Sequence, residues 1–344
     1  MLIIIGLSKQ KMDRNYLLKN DLIIRVYTVG FDPKGESILL TICDGELILF
    51  SGLIDCFITD NDYLIKLLDK LNIKKINYLC ITHPDADHCI GIQNIVDRID
   101  KNTKVAIPSR IFDFMDQYDQ DVKESLSYLY DLFGLNSNNR RKPIFNTVSN
   151  NSDVIDNWTF TDSTGKPNEL KIATITPTAN IIERYAYRQL KGAITVEHND
   201  FSIINLIKIG DVKILLTGDA MNDGIKEAFN NLTKFGYDFF NSKIDFVKIP
   251  HHTSIGSNLL LDIIKKQEER IGVSTTTVFR SSDLPNYSLF SDYNAFSEYS
   301  YCTCPQKTRT IKNGIVLYEA DLTNSEKRVL LVDTAVKFEN YNNV

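Results

Sequence analysis

Four side chains able to bind a metal ion fall within six positions of one another: His83, Asp85, Asp87 and His88, in the stretch Ile81-Thr82-His83-Pro84-Asp85-Ala86-Asp87-His88. Imidazole and carboxylate ligands so close together suit a divalent ion that activates water for hydrolysis. Turn chemistry accounts for part of the stretch, because Asp and Pro favour turns and Asp caps helices. It does not account for two of the chain's five histidines lying here beside two carboxylates. The apolar run Ile76 to Ile81 is short and rich in β-formers, which predicts a buried strand. From Ile90 to Ile99 apolar residues recur at helical spacing, which predicts a helix. The four residues therefore belong to a strand-to-helix turn, where side chains converge above a sheet edge and a helix N-terminus favours anionic groups.

A second histidine-bearing patch ends another apolar strand, Ile244 to Ile249, and reads Pro250-His251-His252-Thr253-Ser254. Adjacent histidines at a strand end point different ways, so one can bind an ion while the other faces a substrate or leaving group. The sequence leaves open which does which. Two further patches stand out: Thr217-Gly218-Asp219 after an apolar strand, and His198 four residues before Ser202.

Together these patches resemble the metallo-β-lactamase fold superfamily, whose signature is H-x-H-x-D-H. Asp85 replaces the second histidine, giving H-x-D-x-D-H, and Pro84 follows the first. That variant, with T-G-D and P-H-H, is similar to the nuclease domain of ComEC-type competence proteins. The resemblance runs from about residue 22 to 320 and implies an α/β fold, a four-layer αββα sandwich. It implies two divalent ions, one held by His83, Asp85 and His198 and the other by Asp87, His88 and one of His251 and His252, with Asp219 bridging them. The expected metal set is His83, Asp85, Asp87, His88, His198, Asp219 and His252; the expected catalytic set is Asp87, His251 and His252. Asp85 makes the first site richer in oxygen, which favours Mn²⁺ with Zn²⁺ as the alternative. The implied activity is that of a metal-dependent phosphodiesterase or nuclease, acting on nucleic acid or another phosphodiester. The alternatives are hydrolysis of a small phosphodiester or lactone, and a degenerate metal-binding module that acts by interaction. Three departures bear on these: Ser51 stands where the family has a supporting Asp, Thr253 replaces a Gly, and Asn286-Tyr287-Ser288-Leu289-Phe290 lacks the last family histidine.

The chain of 344 residues has 43% hydrophobic and 24% charged residues, a globular composition. Its net charge of −5 supplies no overall basic field, so a polynucleotide substrate would need a local patch. Candidates are Arg140-Arg141-Lys142, in a polar tract expected to be surface loop, and Arg184, Arg188 and Lys191 on a segment expected to be a capped surface helix. Six cysteines without a secretory signal predict reduced thiols and a cytoplasmic location, and no run predicts a membrane span or membrane partner.

Residues 1–20 read as a short leader and 21–344 as a single domain. Asp21 to Val29 reads as a strand, and Ser37 to Cys43 with Glu46 to Phe50 as a hairpin around Asp44-Gly45. Helices are expected from Asn61 to Leu71, Ile111 to Phe133 and Asn258 to Glu269, and near Tyr293 to Tyr299. Thr275 to Phe279, Gly314 to Tyr318 and Arg328 to Val332 are expected to complete the second sheet.

Overall fold

A computed structural model describes residues 14–59, 62–133, 143–191, 197–266, 270–306 and 313–341. Within these, two sheets carry the fold. The first has eight strands, in spatial order Lys327–Asp333, Gly314–Asp321, Leu22–Gly30, Glu36–Asp44, Leu47–Ile54, Tyr78–Cys80, Lys104–Pro108 and Ile144–Val148. The second has nine: Arg14–Leu17, Ser152–Thr161, Pro167–Thr174, Asn205–Ile209, Val212–Leu216, Ile244–Lys248, Ile271–Thr276, Ser297–Cys302 and Val336–Lys337.

Three apolar clusters define the layers. Between the sheets lie Ile24, Val26, Ile42, Phe50, Ile207, Ile214, Phe246 and Val316. On the outer face of the first sheet, Leu39, Leu53, Leu79 and Val105 pack against Leu64 and Leu68 of helix Tyr63–Lys70 and Leu126 and Leu129 of helix Gln120–Phe133. On the outer face of the second, Leu206, Leu215 and Val247 meet Ile225, Leu260, Ile264 and Phe290 from helices Asn222–Asn230, Leu259–Lys266 and Tyr287–Phe296. The order is helices, sheet, sheet, helices: the αββα sandwich. Central strands are buried on both faces, so Ile38 to Ile42 reads as one apolar run instead of alternating. Each such side chain contributes roughly 1.5–3 kcal/mol through burial.

Several expectations need correction. Gly314–Asp321 pairs antiparallel with Leu22–Gly30, and Lys327–Asp333 pairs with Gly314–Asp321, so both extend the first sheet and not the second. In place of the helix expected over Ile90 to Ile99 there is a 3₁₀ stretch, Ile92–Arg98, set off from a single helical turn before it, Ala86–Cys89. Gly91 makes the break with φ +93°, and a Cβ there would lie 2.7 Å from the Ile58 carbonyl oxygen. Ser152–Thr161 and Ser297–Cys302 were not anticipated as strands. The first shifts register at two places against Pro167–Thr174, which destroys the apolar alternation by which a strand is read. Arg14–Leu17, placed in the leader by the sequence, pairs parallel with Ser152–Thr161, and Tyr16 stacks on Trp158 and Phe160. Residues 1–13 and Arg140-Arg141-Lys142 lie outside the described residues. All six cysteines are free and buried.

Candidate metal centre

The candidate residues leave the C-terminal ends of strands that run side by side. Tyr78–Cys80 leads to His83 and the turn Ala86–Cys89; Leu47–Ile54, parallel to it, leads to Asp55. In the other sheet the parallel strands Val212–Leu216, Ile244–Lys248 and Ile271–Thr276 lead to Asp219, to His251 and His252, and to Thr277. The two loop sets touch at Gly218. Its φ is +50°, and a Cβ there would lie 2.9 Å from Thr82, so this close approach of the sheets requires glycine. The Ile203 amide donates to the Thr82 carbonyl at 3.0 Å and joins them again.

The inner part of the cluster comprises Asp87, His88, Asp219 and His252, all buried. His252 Nε2 lies 3.3 Å from both Asp87 Oδ2 and Asp219 Oδ2. His88 Nε2 lies 3.4 Å from Asp219 Oδ2 and 3.7 Å from Asp87 Oδ2. The Asp219 amide donates to Ser202 Oγ at 3.2 Å, which gives Ser202 a positioning contact.

Behind these residues lies a support that fixes each ring. Asp55 accepts from the Thr82 amide at 2.7 Å and from the Thr82 hydroxyl, and its Oδ2 lies 2.8 Å from His88 Nδ1. Thr82 thus spends its proton on Asp55, so toward His83 Nδ1, 3.0 Å away, its oxygen is an acceptor. Likewise the Thr277 hydroxyl donates to Glu36 at 2.7 Å and accepts from His252 Nδ1 at 2.8 Å. Each of the three imidazoles therefore carries its fixed proton on Nδ1 and turns Nε2 into the cluster. Lys248, fully buried, closes the circuit: its Nζ is 2.7 Å from Glu36 and 3.6 Å from Asp219 Oδ1.

The outer part is His83, Asp85 and His198. His83 Nε2 lies 3.4 Å from Asp85 Oδ2, while His198 Nδ1 contacts Asp85 Oδ1. Tyr118 packs edge-on against the His198 ring. About a third of the Asp85 side chain and a quarter of His198 remain exposed. The seven residues expected as metal ligands thus all meet in one cluster. His251 departs from it: Nδ1 lies 2.9 Å from Met221 Sδ and Nε2 3.4 Å from Asn199. This is the different pointing of adjacent histidines, produced by left-handed backbone at His251, His252 and Thr253 (φ 48°, 46° and 66°).

The electrostatics follow from these distances. Burial would raise the Asp87 carboxyl, but His88 and His252 outweigh it and hold it at about 2. Burial would lower the His252 imidazole, but Asp219 and Asp87 push it up to about 9. The Asp219 carboxyl is held well below the usual range against its burial by His252, His88 and Lys248. His251, away from the carboxylates, is lowered by burial.

The donor set fits a divalent cation. Four buried atoms of the cluster, His83 Nε2, His88 Nε2, His252 Nε2 and Asp87 Oδ2, have no hydrogen-bond partner, and neither does Asp219 Oδ1 on the side of Lys248. Two combinations, His83 with His88 and Asp219, and Asp87 with His88 and His252, bring their ligand atoms within 4.8 Å of one another. Unpaired buried polar atoms cost about 1–3 kcal/mol each, and a cation shared among them removes that cost. The sequence profile of the metallo-beta-lactamase superfamily matches residues 50–273.

The chain belongs to this superfamily. The match includes every expected ligand. Membership suggests a metal-dependent hydrolase, and the His/Asp cluster could bind the metal. No curated protein matches the sequence. Among the described residues no helix is long and apolar enough to cross a membrane.

Sequence reasoning assigned the superfamily's supporting carboxylate to position 51 and so found it lost. The support is Asp55, four residues further on; Ser51 instead donates to the Lys75 carbonyl at 2.6 Å. The signal available was an Asp closing the apolar strand Leu47–Ile54. Lys248 and Thr277 were also missed, although a lone lysine inside the apolar run Ile244 to Ile249 is such a signal. Asn286 caps helix Tyr287–Phe296 and Phe290 enters the core, so the segment lacking the family histidine serves packing. On helix Ala179–Leu190, Arg184 pairs with Glu227, and Arg188 lies over the Tyr185 ring at 5.6 Å.

Proposed function

We propose that the chain is a metal-dependent phosphodiesterase, with nucleic acid as its first substrate class, as in the ComEC-type domains its motifs resemble. The observation that carries this is the shared orientation of His83, His88 and His252: hydroxyl and carboxylate partners occupy every Nδ1, and every Nε2 is left bare toward Asp87 and Asp219. In this reading Asp87, His88 and His252 would hold one ion and His83, Asp85 and His198 the other, with Asp219 contributing to both. Mn²⁺ or Zn²⁺ at these positions supplies an activated water and neutralises charge on the phosphate. The chain's own residues orient and exchange protons. Asp87 holds its Oδ2 inside the cluster, where it would orient a water. His251, half-buried and turned toward Asn199, exchanges a proton with the leaving oxygen.

A second reading, hydrolysis of a small phosphodiester, is favoured by the candidate basic residues of helix Ala179–Leu190. Arg184 and Arg188 are already engaged by Glu227 and Tyr185, which leaves less free positive charge for a polymer backbone. The test is incubation with single- and double-stranded DNA, RNA and a generic phosphodiester, each with and without Mn²⁺. Cleavage of a polymer supports the first reading, and cleavage of the small ester alone supports the second. No metal-dependent cleavage of any substrate contradicts both and brings forward the interaction-module reading.

A further inference from the structure

At the end of the sandwich opposite the metal centre lies a cavity of about 370 Å³ between the edges of the two sheets. It opens beside Asp245, at the start of strand Ile244–Lys248, whereas the histidines follow the end of that strand; five residues of extended chain span about 16 Å. Its size lies within the ~300–1,000 Å³ range of small-molecule sites.

The walls combine rings and cations. Tyr299, Tyr301 and Tyr318 line it with Val273. Four cations, Lys243, Lys327, Arg328 and Lys337, face two carboxylates, Asp245 and Glu298, a local positive excess in a chain of net charge −5. Lys243 pairs with Glu298, Lys327 with Asp245 at 2.6 Å, and Arg328 with Glu319 at 2.5 Å. Lys337 has no carboxylate partner among the described residues; its ammonium lies 5.2 Å over the Tyr299 ring. Deeper in, Tyr318 is 1% exposed and its hydroxyl has no hydrogen-bond partner. A buried phenol without a partner is costly unless something else accepts its proton.

We propose that this cavity is a second ligand site, for a small anion bearing a planar aromatic ring. The ring lies against the tyrosines, the anionic group meets Lys337, and an acceptor atom takes the hydrogen bond of the Tyr318 hydroxyl. A nucleoside monophosphate and an aromatic carboxylate share this chemistry. The site is independent of the hydrolytic reading, since none of its residues belongs to the metal cluster.

The test is titration of the full chain, in chelator, with adenosine 5′-monophosphate and with benzoate, and with their neutral counterparts adenosine and benzamide, followed by calorimetry and saturation-transfer NMR. At least one anion is expected to bind with Kd below ~1 mM and its neutral counterpart at least about tenfold more weakly. Lys337→Met and Tyr318→Phe should each weaken that anion by about tenfold, the effect of losing one charge-assisted or buried hydrogen bond. His252→Ala should leave it unchanged. Failure of both anions to bind overturns the proposal. So does binding that survives both cavity substitutions, or that disappears in His252→Ala. Tyr318→Phe is isosteric, and a raised Tm with unchanged binding would mark the hydroxyl as a tolerated orphan and also overturn the proposal.

Discussion

The two halves of the metal cluster are built differently although they draw on the same motif. In the inner half, His88 and His252 are wholly buried, and each ring is fixed from behind, His88 by Asp55 and His252 by Thr277 and Glu36. In the outer half, Asp85 and His198 are partly exposed and contact each other directly, with the carboxylate paired to the ring that is meant to share its ion. Ligands whose rings are already fixed from behind give up only their Nε2 protons on binding an ion. A pair that already satisfies itself must first come apart. The inner half is therefore expected to hold an ion more tightly and the outer half to exchange it.

The largest expected effect falls on the support of the inner half. Lys248→Met leaves Glu36 buried without its counter-charge and should destabilise the fold by about 3–5 kcal/mol. Adding Glu36→Gln should recover much of that in a denaturant titration; no recovery would mean the pair is not the unit described. Next is Asp55→Ala, which unties His88 and Thr82 together and should lower affinity for the inner ion by about 10–100-fold. If Ser51→Ala has the greater effect on that ion, the supporting carboxylate has been misassigned. His198→Ala should spare the inner ion and weaken the outer by about tenfold, the lower end of the same range.

How far the cluster was legible depends on distance along the chain. His83 to His88 are neighbours in sequence, Asp219 and His252 follow strands in recognisable tripeptides, and His198 is marked by Ser202 four residues on, so seven residues from two sheets could be gathered in advance. The partners behind them could not. Asp55, Glu36, Lys248 and Thr277 act singly from four separate strands and are defined by the pairing of strands, not by a local pattern. The same limit governed the fold. The hairpin at Asp44-Gly45 is local chemistry, with Gly45 at φ +61° and Asp44 accepting from the Asn20 amide at 2.7 Å, and it was read correctly. The return of Gly314–Asp321 to the first sheet is a contact across nearly the whole chain, with no local signature.

A smaller effect should appear in the pH dependence of the metal-free protein. His252 is raised to about 9, above the unfolded value near 6.5, so its contribution is fully present below about pH 6.5 and is lost as pH rises through 9. Asp87 is lowered to about 2, so its contribution is present above about pH 4 and is lost as pH falls through 2. In chelator, Tm should therefore decline from pH 6.5 toward 9, and His252→Ala should flatten the decline. Metal affinity should rise over the same interval, because the ion displaces protons from His88 and His252. The smallest effect concerns the turn that aims His252. Thr253 is β-branched at φ 66°, a strain of about 1–3 kcal/mol, offset in Thr253→Gly by loss of its hydroxyl bond to Thr276. The net change should stay within about 1 kcal/mol by denaturant titration, and a large loss would show that the hydroxyl, not the backbone, sets the turn.

The most direct test is calorimetric titration of Mn²⁺ and of Zn²⁺ into the chelator-stripped chain, in parallel for the parent, His252→Ala and His198→Ala. Two unequal phases are predicted, the tighter one lost in His252→Ala and retained in His198→Ala, with phosphodiester cleavage following the tighter phase. A tight phase that survives His252→Ala, or one abolished by His198→Ala alone, would contradict the assignment of the inner half as the primary ion site.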